Sequence, residues 1–226
     1  LSAQGFQGPR SILEGEQGFF AAMCKGADTE DILQSPKADW ILHGTSLKPY
    51  PACRHAHPAI DAALALKKSG ADLSGPIEIA TYTDALKFCD RPDPSSAIEA
   101  KFSLQHSVGV SLLRGAPTLD DFSMPAINAP KLKALRARIS VREDAGFNAA
   151  YPQHYGAQIT SGGKTVKTEN AFGDPELPMS EDALIAKAEM LMAHGRMTNA
   201  AMRKLCKAAL ALGKGGALND FTKALP

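Results

Sequence analysis

The sequence predicts an α+β fold in which helical segments from both ends of the chain bracket a section that mixes strands with helices. Three observations carry that prediction. Towards the C-terminus, Leu184, Ile185, Ala188, Leu191 and Met192 recur at helical spacing, and Met202, Leu205, Cys206, Ala209 and Leu212 do so again. In the middle, Ile77, Ile79, Thr81 and Thr83 alternate with other residues at period two, the pattern of a half-buried strand. Near the N-terminus, Ile12, Leu13, Phe19, Phe20 and Met23 supply a further apolar helical face, interrupted by Gly15 and Gly18. The order helix, α+β, helix suggests an α+β domain inserted into a discontinuous helical one, with segments 1–44, 45–176 and 177–226.

Residues 1–35 read as helical, with a turn at Gly8-Pro9 and a short second helix at 29–33 whose acidic first turn, Glu30 and Asp31, suits the helix dipole. Trp40, Ile41 and Leu42 then lead through Gly44 into SLKPYPACRHAHPAIDAALAL, residues 46–66. Pro49 and Pro51 bias Lys48 and Tyr50 to extended geometry. From Ala59 onward the apolar period becomes helical, and Pro58 suits the first helical position, which makes His57 the expected N-cap. Gly70 and Ser74-Gly75-Pro76 break the chain before the strand that starts at Ile77. Arg91–Ser96 reads as a loop. Val108, Leu112 and Leu113 form the face of a helix ending at Gly115, for which Ser96 and Ser103 are both candidate caps. A helical turn is expected at 120–123, a helix at 131–138, and a strand from Ile139.

The stretch AQITSGGKTVK, residues 157–167, invites a nucleotide-binding reading and fails it. A phosphate-binding loop needs glycine five residues before the glycine of the GK pair, and Gln158 stands there. A β-hairpin around Gly162-Gly163 is the better account. Beyond Pro175 and Pro178, Ser180 caps the first C-terminal helix with Glu181 and Asp182 in its first turn, and Leu218 and Phe221 belong to a short last helix.

Composition narrows the function. The 226 residues are 44% hydrophobic and 22% charged, as in an ordinary globular protein, and the net charge of +1 provides no basic surplus for nucleic acid. No apolar run approaches the ~18 residues that span a bilayer, and no signal-peptide pattern is present, so a cytoplasmic location is expected. The chain begins without an initiator methionine and is expected to be a fragment. Cys24, Cys53, Cys89 and Cys206 are scattered without a CxxC pair, which argues against an iron–sulfur cluster or zinc ribbon and for reduced thiols. Cys53 reads as a small packed side chain.

The chemistry concentrates at residues 48–57. An imidazole at a helix N-terminus is kept neutral by the dipole, which also favours a neighbouring anion, so His57 is a candidate general base beside a bound carboxylate. If that stretch is extended, Cys53, His55 and His57 share one face, but no further ligand set appears at suitable spacing and no metal site is expected. His43, His154 and His194 read as ordinary polar positions.

Four phrases together, GFQGPRSILEGEQGFF, LKPYPACRHAHPAIDAAL, EAKFSLQHSVGVSLLRG and GDPELPMSEDAL, resemble the MmgE/PrpD family in their order along essentially the whole chain. The resemblance implies an all-helical domain built from both chain ends with an inserted α+β lid, an active site in the cleft between them, and a homodimer. It implies a lyase acting on a small di- or tricarboxylic acid without cofactor or metal. Dehydration of the 2-methylcitrate type is the first expectation; decarboxylation and epimerisation are the alternatives. On matching positions it makes His57 the catalytic histidine. Lys48 and Lys101 would hold substrate carboxylates, with His55 and Arg54 further substrate-binding candidates, Arg54 the weakest because nothing in its neighbours fixes its direction. His106 stands where the family often has tyrosine and could donate a hydrogen bond or move a proton, and Gln7 stands where threonine is common. The chain would match only the C-terminal half of a member. The other half would supply further active-site groups, so the fragment alone is expected to be inactive. A non-catalytic fragment or assembly module is the competing expectation.

Overall fold

The computed structural model describes residues 4–5, 7–24 and 40–225. The short helix expected at 29–33 lies outside them. The chain forms two units, 1–43 and 44–226. In the first, the expected N-terminal helical run is realised as turns followed by a five-residue helix, α1 (Phe19–Met23). Glycines at 15 and 18 close those turns, with the Gly18 N–H donating to the Gly15 carbonyl at 2.7 Å. Helix α1 buries none of its residues.

The second unit is built on a four-stranded mixed sheet in the order β2-β1-β3-β4, comprising β1 (Ile77–Thr81), β2 (Ile139–Glu143), β3 (Ala157–Ser161) and β4 (Lys164–Thr168). Strand β1 runs parallel to β2, with Ile79 opposite Val141, and antiparallel to β3, with Ile79 opposite Ile159. Strands β3 and β4 form the expected hairpin. Its turn glycines, Gly162 and Gly163, have φ of 56° and 73°, the left-handed geometry that a two-residue hairpin loop requires. On one sheet face Ile77, Ile79, Ile139 and Ile159 join a core with α2 (His57–Lys68) and the helix Leu104–Leu113. The other face is polar, and the Arg142 guanidinium donates to Glu78 there at 2.9 Å.

Between β1 and β2 the chain runs through α3 (Thr83–Cys89), α4 (Ala97–Lys101), α5 (Leu104–Leu113), α6 (Met124–Ile127) and α7 (Pro130–Arg136). The first of these was not foreseen. Thr83 was expected to extend the strand, but its N–H and hydroxyl are taken by Asn148 Oδ1 at 2.7 and 3.0 Å, and a helix starts there instead. Asn148 belongs to α8 (Ala145–Ala150), which follows β2. The two candidate serine caps are both used, because the expected single helix is two. Ser96 accepts from the Glu99 N–H and starts α4, while Ser103 accepts from the His106 N–H and starts α5.

The C-terminal part is helical as expected: α9 (Glu181–His194), α10 (Asn199–Gly213) and α11 (Leu218–Thr222). Ser180 caps α9 by accepting from the Ala183 N–H, and Thr198 caps α10 in the same way from Ala201. No helix among the described residues is long and apolar enough to cross a membrane.

Candidate functional site

Residues 48 and 51–55 line a cavity, and the sequence explains how the stretch 46–57 that carries them is held. The Leu47 N–H donates to the Gly173 carbonyl at 2.8 Å. Gly173 has φ of 96°, and any Cβ on it would run into the Leu47 carbonyl, so this crossing requires glycine. One residue on, Asp174 is buried and accepts from Ser46 Oγ at 2.7 Å, from the Ala171 N–H at 2.9 Å and from the Arg54 guanidinium. The Tyr50 hydroxyl donates to Asp61 on α2 at 2.7 Å, and the other Asp61 oxygen accepts from the Phe172 N–H. Burial holds the Asp61 carboxyl above its usual range. Two carboxylates, Asp174 buried and Asp61 half-buried, thus tie the 46–57 stretch to the 171–174 segment.

The cavity encloses about 520 Å³. Its lining includes Lys48, Cys53, Arg54, His55 and Lys101, so four of the six residues singled out from the sequence come together. The Cys53 N–H donates to the Lys101 carbonyl at 2.8 Å, which brings the start of the turn beside the end of α4. Arg54 is oriented after all. Asp174 pairs with it, and its guanidinium carbon lies 4.7 Å from the centre of the Tyr155 ring. Its neighbours in sequence gave no hint of this, because both partners come from more than 100 residues downstream. Arg54 Nη1 remains buried without a hydrogen-bond partner. Neither lysine ammonium forms a hydrogen bond or ion pair among the described residues.

The two histidines of the stretch do different things. His55 is half-buried on the cavity wall. Its ring stacks on Phe88 at 5.1 Å between centroids, and Nδ1 is 2.7 Å from the Tyr82 hydroxyl. Burial lowers its pKa. His57 is fully buried and does not line the cavity. It is not the N-cap. Arg54–Ala56 form a 3-10 turn that runs straight into α2, so Ala56 occupies the cap and His57 is the first helical residue. That turn also destroys the extended geometry that would put Cys53, His55 and His57 on one face. The His57 Nε2–H points to the Ala52 carbonyl at 3.2 Å, and Nδ1 has no partner. The ring is held neutral, with its pKa lowered to about 4. Burial is the main cause, and the Arg54 and Lys48 charges add to it; the Ala52 carbonyl opposes. The expected neutrality holds with burial as its chief cause in place of the helix dipole.

His106 does not join this cluster. It is fully buried on α5, where Nε2 lies 2.8 Å from the Asp121 carbonyl and Nδ1 lies 3.2 Å from Arg136 Nη1. Both ring nitrogens are therefore engaged inside the fold, a tie between α5, α7 and the turn at 119–122. Among the described residues no group of three or more histidine, cysteine, aspartate or glutamate side chains is arranged to hold a metal ion.

Sequence reasoning passed over Asp174, Asp61 and Tyr82, and it read Cys53 as no more than a small packed side chain. The Cys53 pKa falls to about 6. The neighbouring Cys89 thiol is the main cause, and the His55 and Arg54 N–H groups and the Lys48 charge act in the same direction against burial. Asp174 had a signal, since it lies in the phrase GDPELP. The contact between Cys53 and Cys89 had none.

Comparison with known proteins gives this arrangement a context. The family model for the MmgE/PrpD C-terminal domain matches residues 50–212. A 2-methylcitrate dehydratase of Cupriavidus necator is 30% identical over 161 residues, which is 67% of this chain and 33% of that protein. A cis-aconitate decarboxylase of Mus musculus is 25% identical over 197 residues, 81% of this chain and 40% of its own length. The 2-methylcitrate dehydratase of Salmonella typhimurium is 26% identical over 152 residues, 63% of this chain and 31% of its own. The chain therefore spans about a third to two fifths of the curated relatives it matches.

Proposed function

The chain belongs to the MmgE/PrpD family, and from that premise we propose that it is part of a lyase acting on a small di- or tricarboxylic acid, with dehydration of the 2-methylcitrate type as the reaction. One observation carries the reading: Lys48, Arg54 and Lys101 converge on one cavity, and among the described residues only Arg54 of the three is paired with a carboxylate. A cavity with two unpaired ammonium groups favours a ligand with several carboxylates, because each charge-assisted hydrogen bond is worth roughly 1.5–3 kcal/mol. In this reading Lys48 and Lys101 hold substrate carboxylates. Arg54, aimed by Asp174 and Tyr155, supports the same charge.

Removing a proton next to a carboxylate needs a neutral base and cations that stabilise the negative charge as it develops. His55 touches the cavity and exchanges a hydrogen bond with Tyr82, so it is the group proposed to meet the substrate. His57 keeps a neutral Nδ1 without a partner directly behind that wall and is proposed as the second acid/base. His106 is proposed as a positioning residue for α5. The inserted-lid arrangement, a homodimer and a cytoplasmic location go with this reading. Turnover is proposed to need the additional polypeptide that the longer relatives possess.

The second reading is a carboxylate-binding module without turnover. It is favoured by the open faces of α9 and α10, which bury only Met202 between them. Calorimetric titration with 2-methylcitrate and cis-aconitate tests the shared premise. Binding should weaken roughly tenfold in each of Lys48→Gln and Lys101→Gln. Wild-type affinity in the double variant, or no binding at all, removes the carboxylate reading. Turnover by this chain would decide for the enzyme over the module.

A further inference from the structure

The cavity wall carries a thiol pair that the proposed lyase chemistry does not use. Cys53 begins the 3-10 turn at 54–56 and lines the cavity, half-buried, beside Lys48 and Lys101. Cys89 is the last residue of α3 and is fully buried, in the core against which Cys53 packs. Helix α3 lies against the turn that Cys53 starts: His55, two residues on, stacks on Phe88 beside Cys89, and Cys53 packs on the core cluster that holds Cys89. The remaining cysteines, Cys24 and Cys206, are each partly exposed and have no thiol partner among the described residues.

The two sulfurs differ in the way that sequential oxidation requires. A small oxidant entering the cavity meets Cys53 and cannot reach Cys89. Cys53 is also the sulfur whose anion is favoured, by the neighbouring thiol, by the backbone N–H groups of the turn and by Lys48. Cys89 is held as the protonated thiol by Cys53 and by burial. Thiolate character and access together select which cysteine a peroxide oxidises.

We propose that Cys53 and Cys89 form a reversible, peroxide-driven disulfide in the cavity wall, with Cys53 oxidised first and Cys89 resolving it. In the first step the Cys53 thiolate attacks a peroxide oxygen. An S–O bond forms, the O–O bond breaks, and hydroxide leaves from hydrogen peroxide. In the second step Cys89 sulfur attacks the Cys53 sulfenic acid. The S–S bond forms as the S–O bond breaks, and the departing hydroxide takes the Cys89 proton and leaves as water. Each disulfide consumes one peroxide, and a dithiol reductant reverses it. The product removes a negative charge from beside Lys48 and ties the cavity wall to the end of α3. This inference does not depend on which acid the cavity binds.

The test is oxidation of the reduced chain with hydrogen peroxide, followed by alkylation and peptide mapping by mass spectrometry. The expected product is a single cross-link between the Cys53 and Cys89 peptides, lighter by two hydrogen atoms, with Cys24 and Cys206 alkylated. Dithiothreitol should restore both thiols. In Cys89→Ser, dimedone should trap sulfenic acid at Cys53. Before oxidation, iodoacetamide should label Cys53 roughly tenfold faster than Cys206 at pH 7, with the rate rising through pH of about 6. Mapping of the wild-type chain decides the matter even if the variant fails to fold. Sulfinic acid at Cys53 with Cys89 still alkylatable would overturn the proposal. So would a cross-link through Cys24 or Cys206, or labelling of Cys53 no faster than that of Cys206.

Discussion

Helices α2 and α9 are both amphipathic in sequence, yet they end in opposite circumstances. Helix α2 buries seven of its twelve residues, whereas α9, with fourteen, buries none. Ile60 and Leu66 on α2 are fully enclosed by the sheet and α5, while Leu184 and Leu191 on α9 remain 38% and 42% exposed. Besides packing on α10, α9 faces the turn at 118–120 with Met190, Ala193 and His194, whose Nδ1 lies 3.6 Å from Asp120. The contrast teaches that periodicity reveals an apolar stripe but not whether the same chain supplies what covers it. A helix capped as α9 is, by Ser180 with an acidic first turn, is locally well specified and tertiarily almost unsupported.

Three measurements distinguish an enclosed helix from an open one. The largest effect belongs to the enclosed helix. Ile60→Ala should cost about 3–4 kcal/mol in urea unfolding, since it leaves a cavity in a closed core. A loss under about 1 kcal/mol would show that α2 is no better supported than α9.

The next is the pH dependence of stability. His57 has a pKa of about 4 when folded, against an ordinary value near 6.5 when unfolded. Between those values the unfolded chain binds the extra proton. Stability is therefore full above about pH 6.5 and falls as pH drops towards 4, by up to about 3 kcal/mol from His57 alone. Burial lowers His55 and His106 too, and they act with the same sign. His57→Gln should remove the largest share of that slope. An unchanged slope in His57→Gln would mean that the ring is solvated.

The smallest effect belongs to the open helix. Leu191→Ala should change stability by less than about 0.5 kcal/mol, because little surface returns to water. A loss near that of Ile60→Ala would show that this chain covers α9 after all, for instance by pairing with a second copy.

Legibility followed the range of the interaction. The hairpin at Gly162-Gly163, the cap Ser180, and the strands at Ile77 and Ile139 could be read directly, because each depends on residues a few positions apart. Helix α3 could not, since Thr83 is drawn out of the strand by Asn148, 65 residues away. Within the candidate site, the clustering of Lys48, Arg54, His55 and Lys101 was foreshadowed by their motifs. The aim of Arg54 was not, and neither was the sealing of His57.

The α+β class, the hairpin, the starts of two strands, the C-terminal helices and the family were legible in the sequence, because turn chemistry, capping and apolar period are written locally. Which of the neighbouring histidines faces the cavity, which carboxylate holds Arg54, and the approach of Cys53 to the end of α3 were settled by folding. Those outcomes depend on burial and on partners brought from distant parts of the chain. A side chain's charge state and direction are set by what surrounds it in space, and that surrounding exists only once the chain has folded.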